Sequence, residues 1–185
     1  MPNSTGIWNL AEATEHHAFS YKLAKFIGEY LPKKEMLIDW GCGFGTYLRY
    51  FHDIGFELLH GVEGMELPFE FGVISVHDLT EPIITKPIGN SLCLEIGEHI
   101  PSQYEGVFLD NICNNTNGKL ILSWAIPSQD GVGHVNCKDN QWVVDEVCSR
   151  GFTANLVDTI EIRKHVDNHT AYFRDTLMIF DKICE

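Results

Sequence analysis

Four carboxylates stand where an apolar run ends: Asp39 after Met36-Leu37-Ile38, Glu63 after the run 56–62, Asp78 after 73–77 and Glu95 after 91–94. Ligands of open α/β sheets bind at the carboxyl ends of the strands, so acids repeated at that position point to one shared site. The first acid opens the most informative stretch, Asp39-Trp40-Gly41-Cys42-Gly43-Phe44-Gly45. Glycine there permits a positive φ and lets the backbone approach a ligand with no Cβ between them. Dinucleotide sites use G-x-G-x-x-G to bring a pyrophosphate onto a helix N-terminus. Here the third glycine comes one residue earlier, and the preceding acid favours a ligand with an amine over one with a phosphate.

These residues need elements to hold them. Segment 8–31 reads as one helix, with Ala11, Phe19, Leu23, Phe26 and Ile27 at helical intervals and Pro32 as its stop. Strands and helices then alternate: a strand into Asp39, a helix from Thr46 to near Gly55, strands into Glu63 and Asp78, and a fourth, 91–94, into Glu95. A helix through Tyr104, Val107, Phe108 and Ile112 follows, then a polar turn at 114–118, a fifth strand at 120–124 and a helix from Trp142 to Gly151. Two closing strands are expected at about 152–162 and 172–183, antiparallel because their link is too short for a helical crossover. Such alternation predicts a Rossmann-like α/β fold: a seven-stranded, mostly parallel sheet with an antiparallel last strand and helices on both faces. The link between Glu63 and Val73 is short and interrupted by Pro68, so no full crossover helix is expected there. One domain spans 1–185, with 1–32 as a helical cap and 33–185 as the sheet core; the chain could be part of a longer protein.

Composition excludes several functions. The 185 residues are 44% hydrophobic, enough for a packed core. Thirteen basic against 26 acidic residues give a net charge of −13 with no basic cluster, a poor surface for nucleic acid, whose binding depends on Lys and Arg. No apolar run approaches the roughly 18 residues of a membrane span. The six cysteines lack C-x-x-C spacing, so a reduced cytoplasmic setting is expected and a zinc site is not.

The pattern D-x-G-x-G-x-G after a strand resembles motif I of the class I S-adenosylmethionine-dependent methyltransferases. The stretch Glu95-Ile96-Gly97-Glu98-His99-Ile100-Pro101 looks like the E-x-x-E-H-x-P segment after strand four of many small-molecule members. The matches cover about residues 36–101. They imply that Asp39, Gly41, Gly43, Gly45, Glu63, Asp78 and Glu95 bind S-adenosylmethionine and its product S-adenosylhomocysteine. In that family Glu63 would accept both ribose hydroxyls, and Asp78 would accept from the adenine amino group. The loop Ser123 to Asn136, S-W-A-x-P-x-Q-x-G-x-G-H-x-N, is similar to small viral and bacterial methyltransferases, several of which modify glycans. The expected acceptor is therefore a sugar hydroxyl of a glycan or nucleotide-sugar. Alternatives are another small metabolite, methylated on nitrogen or oxygen, and a cofactor-binding module without turnover.

An oxygen nucleophile must lose a proton as it attacks, and a histidine near neutral pKa or a carboxylate is the usual base. His134 is the leading candidate, with Asp130 or Asp139 to orient it, and His99 is its rival. Trp8, His17, Tyr21 and Asn136 are candidate acceptor contacts. A divalent metal on Asp130, His134 and Asp139 is the less favoured alternative, because their spacing is not a recognised ligand set. Oligomeric state is open.

Overall fold

The computed structural model describes residues 1–68, 73–84 and 86–183. Seven strands form one sheet: β1 (Leu37–Trp40), β2 (Leu59–Glu63), β3 (Ile74–Val76), β4 (Asn90–Cys93), β5 (Lys119–Leu122), β6 (Phe152–Ala154) and β7 (Met178–Lys182). Their order is β3-β2-β1-β4-β5-β7-β6. The pairs β1–β2, β1–β4, β2–β3 and β4–β5 are parallel, whereas β7 runs antiparallel to both β5 and β6. The expected sheet is therefore present, including the reversed last strand. The sequence order reverses at β1 and β4, so a crevice opens beyond their carboxyl ends.

Strand residues alternate between two cores, as the two-residue period requires. One core joins Ile38, Cys93, Leu120, Leu122 and Phe180 to Phe108, Leu109 and Ile112 of helix α4 (Glu105–Asn114) and to Val143 and Val147 of α5 (Asn140–Ser149). The other joins Leu37, Leu92, Ile121 and Ile179 to Leu23, Ala24 and Ile27 of α2 (Tyr21–Tyr30) and to Tyr47 and Phe51 of α3 (Thr46–Asp53). Central strands β1 and β4 are buried at every position, as strands covered on both faces must be. Among the described residues, no helix is long and apolar enough to cross a membrane, and the five cysteines are free.

Two expectations need correction. The N-terminal segment is two helices, α1 (Leu10–His16) and α2, separated at 17–20. Asn9 and Ser20 each accept a backbone N–H three residues on, which starts each helix afresh. Ser20 is further fixed by its N–H to the Tyr47 hydroxyl and by its own hydroxyl donating to Asp167. At the other end, 152–162 is not one strand. The strand β6 stops at Ala154, and Asn155 caps α6 (Leu156–Ile162) by accepting from the Asp158 N–H. Likewise Phe173–Thr176 forms α7, and β7 begins only at Met178. The last two strands are antiparallel as expected, yet the chain between them carries helices. Between β2 and β3, residues 64–68 contain no helix, and Phe69 to Gly72 lie outside the described residues.

Candidate functional site

The glycine turn is anchored on the neighbouring strand. Both the Gly41 and Cys42 N–H groups donate to the Val62 carbonyl, at 2.8 and 3.1 Å. Gly41, Gly43 and Gly45 all have positive φ, at 72°, 53° and 70°. The turn is also enclosed: a Cβ on Gly41 would stand 2.3 Å from Ile96 Cδ1, and one on Gly43 2.7 Å from His17 Nδ1. Gly45 is the N-cap of α3, with left-handed backbone and no side-chain hydrogen bond to the first turn. Glu63 closes the turn from β2. Its Oε2 accepts from the Gly43 N–H at 2.8 Å and its Oε1 from the Met65 N–H at 2.9 Å.

A cavity opens above this turn at the carboxyl ends of the strands, lined by Asp39, Gly41, Gly43, Glu63, Asp78, Glu95 and His99. Asp39 is 4% exposed. Burial, reinforced by the Glu63 charge, pushes its carboxyl up to about 8. Two crowded acids facing one space make that space receptive to a cation. Asp78 holds the loop after β3 through Oδ1, which accepts from the Thr80 N–H and hydroxyl at 2.9 and 2.8 Å. The roof comes from the N-terminal segment, with Thr5, Gly6, Ile7, Trp8, His16 and His17 on the cavity wall. The break between α1 and α2 is what turns His17 toward Gly43.

Glu95 takes a different role from the other acids. It is the one non-glycine with positive φ among the described residues, at 54°. Its N–H donates to Ser123 Oγ at 2.8 Å, and its carboxylate accepts from Gln129 Nε2 at 2.5 Å and Thr176 Oγ1 at 3.3 Å. The side chain thus ties the loops after β4 and β5 to α7 while keeping a face on the cavity. Burial raises its pKa. Strained backbone of this sort persists only where the surroundings over-determine it.

Beside it stand Glu98, His99 and His134. Glu98 is fully buried, and its Oε2 accepts from the Ala125 N–H at 3.4 Å. Its main-chain carbonyl receives the Val135 and Asn136 N–H groups at 2.9 and 3.0 Å, pinning the His134 loop. His99 Nδ1 meets the Gly133 carbonyl at 3.1 Å, and His134 Nδ1 meets the Gln129 carbonyl at 3.1 Å. A carbonyl only accepts, so each Nδ1 carries the proton when the ring is neutral. Burial holds the His99 imidazole down at about 4. The two rings lie 5.2 Å apart, and Trp8 packs edge-on against His99 at 5.1 Å.

Nine of the predicted residues therefore line one cavity: Asp39, Gly41, Gly43, Glu63, Asp78, Glu95, His99, Trp8 and His17. Gly45 lies behind them at the start of α3, and His134 lies behind His99. Three residues are placed elsewhere. Asp130 is exposed, and the Gln129 carbonyl, not an aspartate, positions His134. Asn136 is buried, with its amide donating to Glu105 and its carbonyl accepting from the Trp124 indole. Tyr21 is 57% exposed and packs on Tyr50. Sequence reasoning missed the roof segment 5–7 and the contributions of Tyr172 and Phe173 at the start of α7. A signal existed in Gly6, which has φ +92° and lies so close to His99 that a Cβ would come within 2.4 Å of its carbonyl oxygen.

No protein-family model matches this chain, and no curated protein matches it in sequence. Solved structures match its fold. The complex between the Trm112 methyltransferase activator of Haloferax volcanii and a methyltransferase aligns with a TM-score of 0.65 at 13% identity, over 95% of each chain. The [4+2]-cyclase SpnF gives 0.63 at 13%, over 89% of this chain and 81% of that one. A 1,6-didemethyltoxoflavin-N1-methyltransferase from Burkholderia thailandensis, bound to its substrate and S-adenosylhomocysteine, gives 0.61 at 14%, over 89% and 78%. At such identities the likeness concerns architecture, and the architecture of this chain is the class I methyltransferase fold.

Proposed function

We propose that this chain is an S-adenosylmethionine-dependent methyltransferase acting on a hydroxyl oxygen of a small acceptor, with a sugar hydroxyl as the favoured group. One observation carries the reading: three left-handed glycines bring the backbone up to a cavity whose wall holds both Asp39 and Glu63. A ligand with an ammonium and a sulfonium supplies the cations that these acids lack. On this reading Asp39 faces the ammonium side and Glu63 the ribose hydroxyls. Asp78 reaches toward the adenine amino group, its Oδ2 being free of hydrogen bonds among the described residues. S-Adenosylhomocysteine in a solved structure of the same fold supports the cofactor.

Methyl transfer is an in-line displacement: the acceptor oxygen attacks the methyl carbon, the carbon–sulfur bond breaks, and the sulfur keeps the electron pair. The enzyme's main task is alignment. On this reading His99 on the cavity wall, with His134 beside it, takes the hydroxyl proton, and Trp8 contacts the sugar ring. The test is calorimetry with S-adenosylmethionine, S-adenosylhomocysteine and NAD, followed by methyl-transfer assays on deoxysugars and nucleotide-sugars. Binding of the first two without NAD, with methyl appearing on a hydroxyl, is expected. Failure of both to bind refutes the cofactor assignment, and transfer to free amines alone refutes the acceptor.

A further inference from the structure

Glu98 Oε1 is fully buried and meets no hydrogen-bond donor among the described residues; burial, and then the Glu95 carboxyl beside it, push the Glu98 pKa well up. A buried carboxylate oxygen left so is costly, and it marks a place where something else is bound. Its neighbours are two imidazoles. His99 Nε2 lies 4.0 Å from Glu98 Oε1, and one ligand atom each from Glu98, His99 and His134 fall within 4.8 Å of one another. Both rings are anchored through Nδ1 to carbonyl oxygens, of Gly133 and Gln129. Metal-ligating histidines are typically oriented in this way, by a carbonyl on the other nitrogen.

We propose that Glu98, His99 and His134 form a binding site for a divalent ion of the zinc class. Bonds to zinc of about 2.0–2.2 Å put tetrahedral ligand atoms about 3.4 Å apart, so the three atoms must draw together by up to about 1.4 Å to share an ion. Two imidazoles and one carboxylate suit zinc or cobalt, whereas magnesium prefers all-oxygen surroundings. Three protein ligands leave a coordination position open. His99 lies on the cavity wall, so the ion sits at the cavity's edge, where its open position can take an acceptor oxygen. That role rests on the methyl-transfer reading; binding of the ion does not. With the ion bound, the histidines act as ligands in place of the base role above, and the ion acidifies the hydroxyl it holds so that its proton passes to solvent water. Glu98 and His99 adjoin in sequence while His134 is far along the chain, and the exposed Asp130 and Asp139 are not in the cluster.

The experiment is a titration of the untagged, metal-stripped chain with Zn²⁺ by calorimetry and with Co²⁺ by visible absorption. Mg²⁺ serves as the control, and S-adenosylhomocysteine binding is measured on the same sample. One equivalent of Zn²⁺ and the d–d bands of low-coordinate Co²⁺ are expected, with affinity lower in Glu98→Gln and in His134→Gln by at least the roughly 10–100-fold that loss of a mere outer-shell partner costs. The His134 variant alters a half-buried loop, so it keeps the question open to refutation if the Glu98 variant fails to fold. Absence of stoichiometric Zn²⁺ binding overturns the proposal, as does unchanged affinity in a folded His134→Gln chain. S-Adenosylhomocysteine binding without zinc binding removes the ion site alone; the converse leaves the ion site standing and removes the cofactor.

Discussion

Asp39→Asn should stabilise the ligand-free chain, and by an amount that grows with pH. The folded-state pKa of Asp39 lies at about 8, raised from the ordinary 3.8 by burial and then by the Glu63 charge. A raised carboxyl contributes stability that is fully present below the unfolded value, and it is lost as pH climbs through the folded value. The span from 3.8 to about 8 is roughly four pH units, and each unit is about 1.4 kcal/mol. Ionising the acid therefore costs the empty fold on the order of 5 kcal/mol by pH 9, and near zero at pH 4. Among the described residues no side chain offers Asp39 a hydrogen bond that the amide would forfeit, so the neutral isostere removes the charge at little other cost. Urea unfolding of both proteins without ligand, from pH 4 to 9, isolates the difference. The expected gain is near zero at pH 4 and about 2–5 kcal/mol at pH 9. A pH-independent difference, or one that shrinks as pH rises, would refute the argument that a buried, uncompensated charge sits beneath the glycine turn. The same variant should lose S-adenosylhomocysteine binding, because the charge that burdens the empty protein is the one proposed to meet the ligand's ammonium.

Further expectations are independent of that one. Gly41→Ala places a side chain at φ +72° and 2.3 Å from Ile96 Cδ1, so a loss of about 1–3 kcal/mol is expected in denaturant unfolding, with weaker cofactor binding by calorimetry. Glu63→Ala removes an acceptor for the Gly43 and Met65 N–H groups and a proposed ribose contact, and S-adenosylhomocysteine affinity should drop by about 1.5–3 kcal/mol. Trp8→Ala should weaken apparent acceptor affinity in steady-state assays and leave calorimetric binding of S-adenosylhomocysteine within a few-fold, since Trp8 packs on His99 and not on the glycine turn. Saturating S-adenosylhomocysteine should raise the thermal midpoint, adding about 2.7 kcal/mol at a ligand concentration of 100 Kd.

Much of the architecture was readable from the chain alone. Alternating apolar runs and helical periods specify a parallel sheet, because only covered strands can be apolar on both faces; Leu37 and Ile38 do enter opposite cores. An acid at each strand end and glycines spaced by two are local features, and chain order by itself places them at one edge of the sheet. Local features also misled where two propensities compete. Val157, Thr159, Ile160 and Ile162 are β-branched and read as strand, yet the Asn155 cap starts a helix that buries Thr159 and Ile162 on one side and exposes Val157 and Ile160 on the other. The N-terminal helix period ran unbroken through 17–20 in sequence, and contacts of Ser20 with Tyr47 and Asp167, far along the chain, decided the break. Tertiary structure alone decided which polar groups meet. His134 is held by a carbonyl and not by Asp130, Glu95 braces loops while facing the cavity, and the buried Glu98 carboxyl gathers two imidazoles and Glu95 around it. Spacing along a chain cannot determine such meetings, since they depend on how separate loops pack once the sheet has brought them together.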